Sequence, residues 1–202
     1  MLSRLTLLFL FSILVFCSCS HTHSKIAPPY STKKVTVDTP NTDTIFKDKR
    51  VIVIGSKLDR GEDAVNYVAV KFKPYIRFSD FRATVEDTQK KAPIQFYSNP
   101  LAREYRTRIR ETYSDQGTNF GGHYCLVDWG YGSNAGYCVL IDTNTGVVYN
   151  GVENSEGYDF RKNSRMLIVN PPDSTGFYLA NVDYDEPLIY LWNEKRKRFE
   201  QR

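Results

Sequence analysis

The chain has little methionine or tryptophan, two of each among 202 residues, against 14 Tyr and 12 Phe. Large rings with little flexible filler favour a β-rich domain, because rings pack well on pleated surfaces. Charge of neither sign is in excess: 27 Lys and Arg face 23 Asp and Glu, a net of +4. Nucleic-acid binding usually needs a clustered basic face, so no nucleic-acid partner is expected. No apolar run is long enough to cross a bilayer comfortably, and no strict internal repeat is present. Asp142 and Asn144 lack the closing Glu and the glycine placement of a calcium loop, so Asp142–Gly146 reads as a turn. No helix follows Gly121-Gly122, so this pair reads as a tight backbone turn and not as a phosphate cradle. His21 and His23 form an H-x-H pair in a polar stretch that offers no further ligands, and no metal or cofactor is expected.

The N-terminus carries the strongest positive signal. Arg4 precedes the apolar run Leu5 to Phe16, and small residues follow. That is a charged region, a short apolar region and a processing site, the pattern of an export signal. The run ends at Cys17-Ser18-Cys19, which resembles a bacterial lipoprotein signal, in which the cysteine thiol takes diacylglycerol and becomes the mature N-terminus. Cys19 after Ser18 is the preferred lipidation site, with Cys17 the alternative. The expected organisation is a signal peptide over 1–18, a polar tether over 19–48 and a single α+β domain over 49–202. The lipid would make the membrane one partner of the chain. Exported thiols tend to pair, and once Cys17 is removed and Cys19 acylated only Cys125 and Cys138 remain.

Within the domain, Val51–Gly55 and residues 65–72 read as strands, and Ile76–Phe81 as a brief third. Residues 82–93 read as loop, and Ile94–Tyr97 as a short strand or extended lead-in. Ser98-Asn99-Pro100 opens the one main helix, with Asn99 or Ser98 as cap and Pro100 at the first helical position. Leu101, Tyr105, Ile109 and Tyr113 give its buried stripe, and Gly117 ends it. Arg103, Arg106 and Arg110 fall on an outward face, which is either a solvated helix surface or a surface for an anionic partner. Residues 123–149 read as a three-stranded antiparallel meander, Gly151–Lys162 as a polar loop, and Ser164–Asn170, Gly176–Ala180 and Pro187–Trp192 as further strands. Lys195–Arg198 reads as a basic hairpin tip.

The hairpin over 123–141 gathers His123, Cys125, Trp129 and Cys138. If Gly130 pairs with Ser133, Cys125 stands opposite Cys138 on one strand face. A structural disulfide, two separate buried thiols and a reactive thiol are then all open. His123 reads first as a hydrogen-bonded structural histidine at the start of a strand, and is otherwise the one candidate for catalysis. Cys125 falls on its strand face by alternation, but no third group orients the ring. Asp183, Asp185 and Glu186 crowd a later loop and read as solvent-facing acids.

Four segments carry a resemblance: Tyr105-Arg-Thr-Arg-Ile-Arg-Glu111, Asn119-Phe-Gly-Gly-His-Tyr124, Trp129-Gly-Tyr-Gly-Ser-Asn-Ala135 and Ile141-Asp-Thr-Asn-Thr-Gly-Val-Val148. Together they resemble an uncharacterised family of exported bacterial proteins. Its pattern runs Y/F-R-T-R-I/L-R-E, N-F-A-G-H-Y, W-G-C-G-T-x-C, then I-D-x-x-T-G-x-V. The resemblance implies membership and no activity. Both cysteines of the family's turn are replaced, by Tyr131 and Ala135. Their joint loss implies that they were bonded to each other, with Cys125 and Cys138 as a substitute staple.

The functional expectation is a non-enzymatic binding or inhibitory module of the immunity type at the cell envelope, with an envelope protein as its partner. Its contact surface would comprise Trp129, Tyr131, Arg103, Arg106 and Arg110. The alternative is a hydrolase-like envelope enzyme using His123 with Cys125 or a loop carboxylate, which would need His123 in a concavity beside a second titratable group.

Overall fold

The computed structural model describes residues 42–56, 67–86, 91–130, 135–180 and 186–202. The stretch 1–18, read as a signal peptide and including Cys17, lies outside these residues, as do Cys19, His21, His23, Tyr131, Asp183 and Asp185. Where described, the chain is mainly antiparallel β, with a single helix longer than seven residues.

Three sheets form. The central one is the antiparallel meander β4 (Tyr124–Gly130), β5 (Gly136–Asp142) and β6 (Val148–Asn154), whose first two strands are nearly unbroken apolar runs. Asp142 Oδ1 accepts from the backbone N–H of Asn144 and Thr145, and Gly146 takes φ 79, so the β5–β6 connection is the expected turn and is of the Asx type. The second sheet has the order β11 (Arg198–Gln201), β10 (Leu188–Asn193), β8 (Met166–Val169), β7 (Tyr158–Phe160). The third has the order β1 (Thr42–Lys47), β2 (Val51–Ser56), β3 (Tyr67–Lys71), β9 (Phe177–Leu179).

The helix forms where Asn99 and Pro100 announce it. Asn99 Oδ1 accepts from the N–H groups of Leu101 and Ala102, and its amide donates to Asn150 Oδ1 at 2.7 Å. The helix bends at Tyr105 (φ −97, ψ 27) into α1 (Pro100–Glu104) and α2 (Arg106–Gln116). Gly117 closes it at φ 58. The expected stripe is the buried one: Ile109 and Tyr113 are buried, and Leu101 and Tyr105 pack partly buried against the same cluster.

The meander is covered on both faces. Cys125, Val127, Trp129, Val139, Ile141 and Val148 face the helix. Tyr124, Leu126, Cys138 and Leu140 face Tyr158, Phe160, Leu167, Val169 and Trp192 of the second sheet. The outer face of that sheet (Met166, Ile168, Ile189, Leu191) is covered by Phe72, Ile76, Phe78 and Phe81.

Four sequence expectations are corrected. Phe78–Phe81 is a 3₁₀ turn and not a strand: Asp80 Oδ2 accepts from Arg77 N–H at 2.8 Å, which closes the turn. Three residues per turn then set Phe78 and Phe81 on one side, against the second sheet. The polar stretch 151–162 holds the end of β6 and all of β7, because Tyr158 and Phe160 alternate inward among polar neighbours. Strand β1 pairs with β2 inside the stretch read as tether; Ile45 and Phe46 are exposed, so its composition carries little core signal. The hairpin register also differs, with consequences for the cysteines described next.

Candidate functional site

The segment Asn119–Tyr124 joins three parts of the fold through its backbone. The Asn119 side chain acts as a one-residue strand on the free edge of β4. Its Oδ1 accepts from Leu126 N–H at 2.7 Å and its Nδ2 donates to the Leu126 carbonyl at 2.9 Å. This satisfies an edge that would otherwise present unpaired groups. Phe120 is fully buried, in edge contact with Phe160 and Phe199. Gly121 and Gly122 have φ 54 and 91, and their N–H groups donate to the carbonyls of Ser164 and Lys162. A Cβ on Gly122 would lie 2.2 Å from the Thr84 carbonyl oxygen, so close backbone approach requires glycine there. The Gly122 carbonyl in turn accepts from Glu86 N–H.

His123 follows from this geometry. Its carbonyl accepts from both the N–H and the hydroxyl of Thr143. Its ring lies beside that of Tyr124, and Nδ1 sits 3.7 Å from Glu86 Oε1, with a fifth of the imidazole exposed. Glu86 is itself held by the Asn144 amide at 2.6 Å. Next to this pair, the buried Tyr124 hydroxyl donates to Glu194 Oε2 at 2.6 Å, and Lys197 Nζ donates to both groups at 2.8 and 3.0 Å. Burial, then the Glu194 carboxylate, push the Tyr124 hydroxyl well above its ordinary range. Burial works against the Glu194 charge, but the bonds from Tyr124 and Lys197 hold its carboxyl below the usual value. Lys197 is raised, despite burial, by the same two partners. It reaches them from a left-handed backbone conformation, φ 51. The basic tip therefore turns one of its four charges inward, while Asn193 Oδ1 organises the turn through Lys195 and Arg196 N–H.

The cysteine expectation is overturned. Gly130 pairs with Gly136, not with Ser133, so Cys125 stands opposite Ile141 and Cys138 opposite Asp128. The shift is three residues, an odd number, which exchanges the faces of one strand relative to the other. Cys125 lies in the helix-side core and Cys138 in the opposite core, both as free thiols. Burial pushes each thiol up to about 12. Only the thiolate is a nucleophile, so complete burial of Cys125 works against an attacking role, and the staple drawn from the family resemblance is absent as well. Cys138 fills a specific gap: a Cβ on Gly151 would lie 2.3 Å from its Sγ.

Of the expected contact residues, Trp129 is buried and stacks on Tyr105 with centroids 4.6 Å apart, so it is core and not surface. Arg103, Arg106 and Arg110 are exposed as expected. Arg106 and Arg110 lie one helical turn apart, and their guanidinium carbons stand 5.2 and 5.5 Å from the centre of the Phe96 ring. The next residue, Tyr97, is 85% exposed. Ile94–Tyr97, read as a short strand or an extended lead-in, instead enters a 3₁₀ turn over Phe96–Ser98 that packs against α1 and sets Phe96 beside the arginines of α2.

A shallow cleft of about 290 Å³ opens beside the hairpin tip, lined in part by Phe81, Arg165, Trp192, Glu194 and Arg202. Glu186, from the loop acids, is exposed. Among the described residues no group of three or more His, Cys, Asp or Glu is placed to hold a metal ion, and no helix is long and apolar enough to cross a membrane. No protein-family model, curated protein or solved structure matches the chain.

Proposed function

We propose that this is an exported bacterial lipoprotein, anchored through Cys19, whose folded part is a single envelope binding or inhibitory module. The observation that carries the binding reading is the guanidinium–aromatic surface of Phe96, Tyr97, Arg106 and Arg110. Exposed aromatic and arginine side chains are the residue types enriched where proteins meet partners. The conspicuous residues of the Asn119–Tyr124 segment are engaged otherwise. Asn119 seals a strand edge, Tyr124 joins Glu194 and Lys197, and the neighbouring thiols are buried on opposite faces. The anchor reading is supported by the sequence at 4–19, where a charged residue, a short apolar run and Ser18-Cys19 follow in order.

Site-specific photo-crosslinking in cells tests the surface. A photoreactive residue at Tyr97 or Arg106 is expected to give a discrete protein adduct, and one at the exposed Lys162 is not. Adducts of equal yield at all three positions, or none at Tyr97 and Arg106, would overturn the reading. Labelling with a radioactive lipid precursor tests the anchor: Cys19→Ser abolishes incorporation, whereas unchanged incorporation excludes Cys19.

A further inference from the structure

The helix surface that carries Arg106 and Arg110 is more selective than its overall charge suggests. At 100° per residue, Arg106 and Arg110 lie within about 40° of each other on α2, whereas Glu111 and Asp115 fall on the far side of the exposed arc. Arg108, also on that far side, is engaged with the Asp128 carbonyl at 3.5 Å. Among the described residues, the side chains of Arg103, Arg106 and Arg110 have no carboxylate partner, although four other arginine– or lysine–carboxylate pairs form elsewhere. Two of the three are instead held over Phe96. Contact with a ring face restrains a guanidinium while leaving its N–H edges available, and those edges match a carboxylate in two-point fashion.

The geometry points to a docking strip for an acidic segment of a partner protein, with side-chain carboxylates on Arg106, Arg110 and Arg103 and an apolar contact on Tyr97. This rests on the binding-module reading and gives its partner a chemical class. Spacing favours a segment: one helical turn separates Arg106 from Arg110 by a rise of about 6 Å, close to the spacing of about 6–7 Å between alternate residues of an extended strand.

The test uses the mature full-length chain and fluorescein-labelled hexaglutamate as probe, read by anisotropy at low salt. The expected result is saturable binding that weakens at least tenfold in R103Q/R106Q/R110Q and severalfold in Phe96→Leu. It should change less than twofold in K195Q/R196Q/R198Q, which removes the same charge from the hairpin tip. Equal losses in the two triple variants would reduce the effect to net charge and overturn the strip. No binding of hexaglutamate by the wild type would overturn it too, as would tighter, strip-dependent binding to phosphatidylglycerol vesicles or inorganic phosphate. The two readings separate: crosslinks at Tyr97 without hexaglutamate binding would leave a binding module whose partner is not acidic. Hexaglutamate binding without any crosslink would leave the strip's chemistry and remove the partner.

Discussion

The two faces of the β4–β5–β6 meander are both buried and are covered in different ways. The helix face is sealed by residues 94–113, which immediately precede β4 in the chain. The opposite face is sealed by residues 152–199, brought in from the far end. The first is a local supersecondary unit, in which a capped helix folds back on the hairpin that follows it. The second needs contacts of long sequence separation, and its rim is where polar groups collect: Tyr124, Glu194, Lys197, His123 and Glu86. Local cover leaves its pattern in the sequence as a periodic stripe. Distant cover leaves only isolated aromatics, such as Tyr158 and Trp192, whose partners cannot be read from spacing.

The largest expected effect breaks this comparison directly. Trp192→Ala removes a buried ring that packs against Tyr124, Tyr149 and Phe199, and is expected to cost about 3–5 kcal/mol. Ile109→Ala, on the helix side, is expected to cost about 2–5 kcal/mol. Urea unfolding of both variants checks this. If Ile109→Ala costs less than about 1 kcal/mol, the helix is an accessory and the two faces are not equivalent halves of one core.

A middle-sized effect concerns the edge shared by both faces. Asn119→Ala leaves Leu126 N–H and C=O without their side-chain partner and is expected to cost about 1–3 kcal/mol. Hydrogen exchange at Leu126 should speed up more than at Val139 in the central strand. Equal protection at both positions would show that Asn119 does not seal the edge.

A last effect, absent at neutral pH, sharpens the comparison by titration. Cys125 on one face and Cys138 on the other both keep their protons to about 12 in the folded chain, against an ordinary thiol value of 9.0. The folded state therefore binds more protons than the unfolded one between these values. Stability from this source is intact below pH 9 and is lost as pH rises toward about 12. Either single Cys→Ala variant should flatten part of that loss, by similar amounts if the two cores are equally dry. Titration with a thiol reagent should find both thiols unreactive in the native protein and reactive on unfolding without reductant. A disulfide would leave none.

Among these elements, legibility followed physical range. The Asn99 cap, the Leu101–Tyr113 stripe, the Gly117 terminus and the Asp142–Gly146 turn were all readable, because each depends on residues within a few positions. The strand Met166–Val169 was readable as an unbroken apolar run. The hairpin register was not: both strands are apolar on both faces, so their pattern does not fix the pairing, register depends on how many residues the loop takes, and an error of three moved Cys138 to the other core. Trp129 misled for a related reason, since an aromatic at the end of a strand becomes surface or core according to whether a helix side chain, here Tyr105, lies over it. Glu86, Glu194 and Lys197 around His123 lie in stretches of polar composition, and nothing local marks them as neighbours.

The sequence by itself determined the capped helix with its arginines outward and the antiparallel meander, both consequences of local periodicity and backbone preference. Tertiary structure alone decided that the cysteines part to opposite cores and that Tyr124 anchors the hairpin tip. It also decided that Phe96 comes to lie beneath Arg106 and Arg110. These depend on loop closure and on packing between segments far apart in the chain, where one register step or one turn changes which side chains meet.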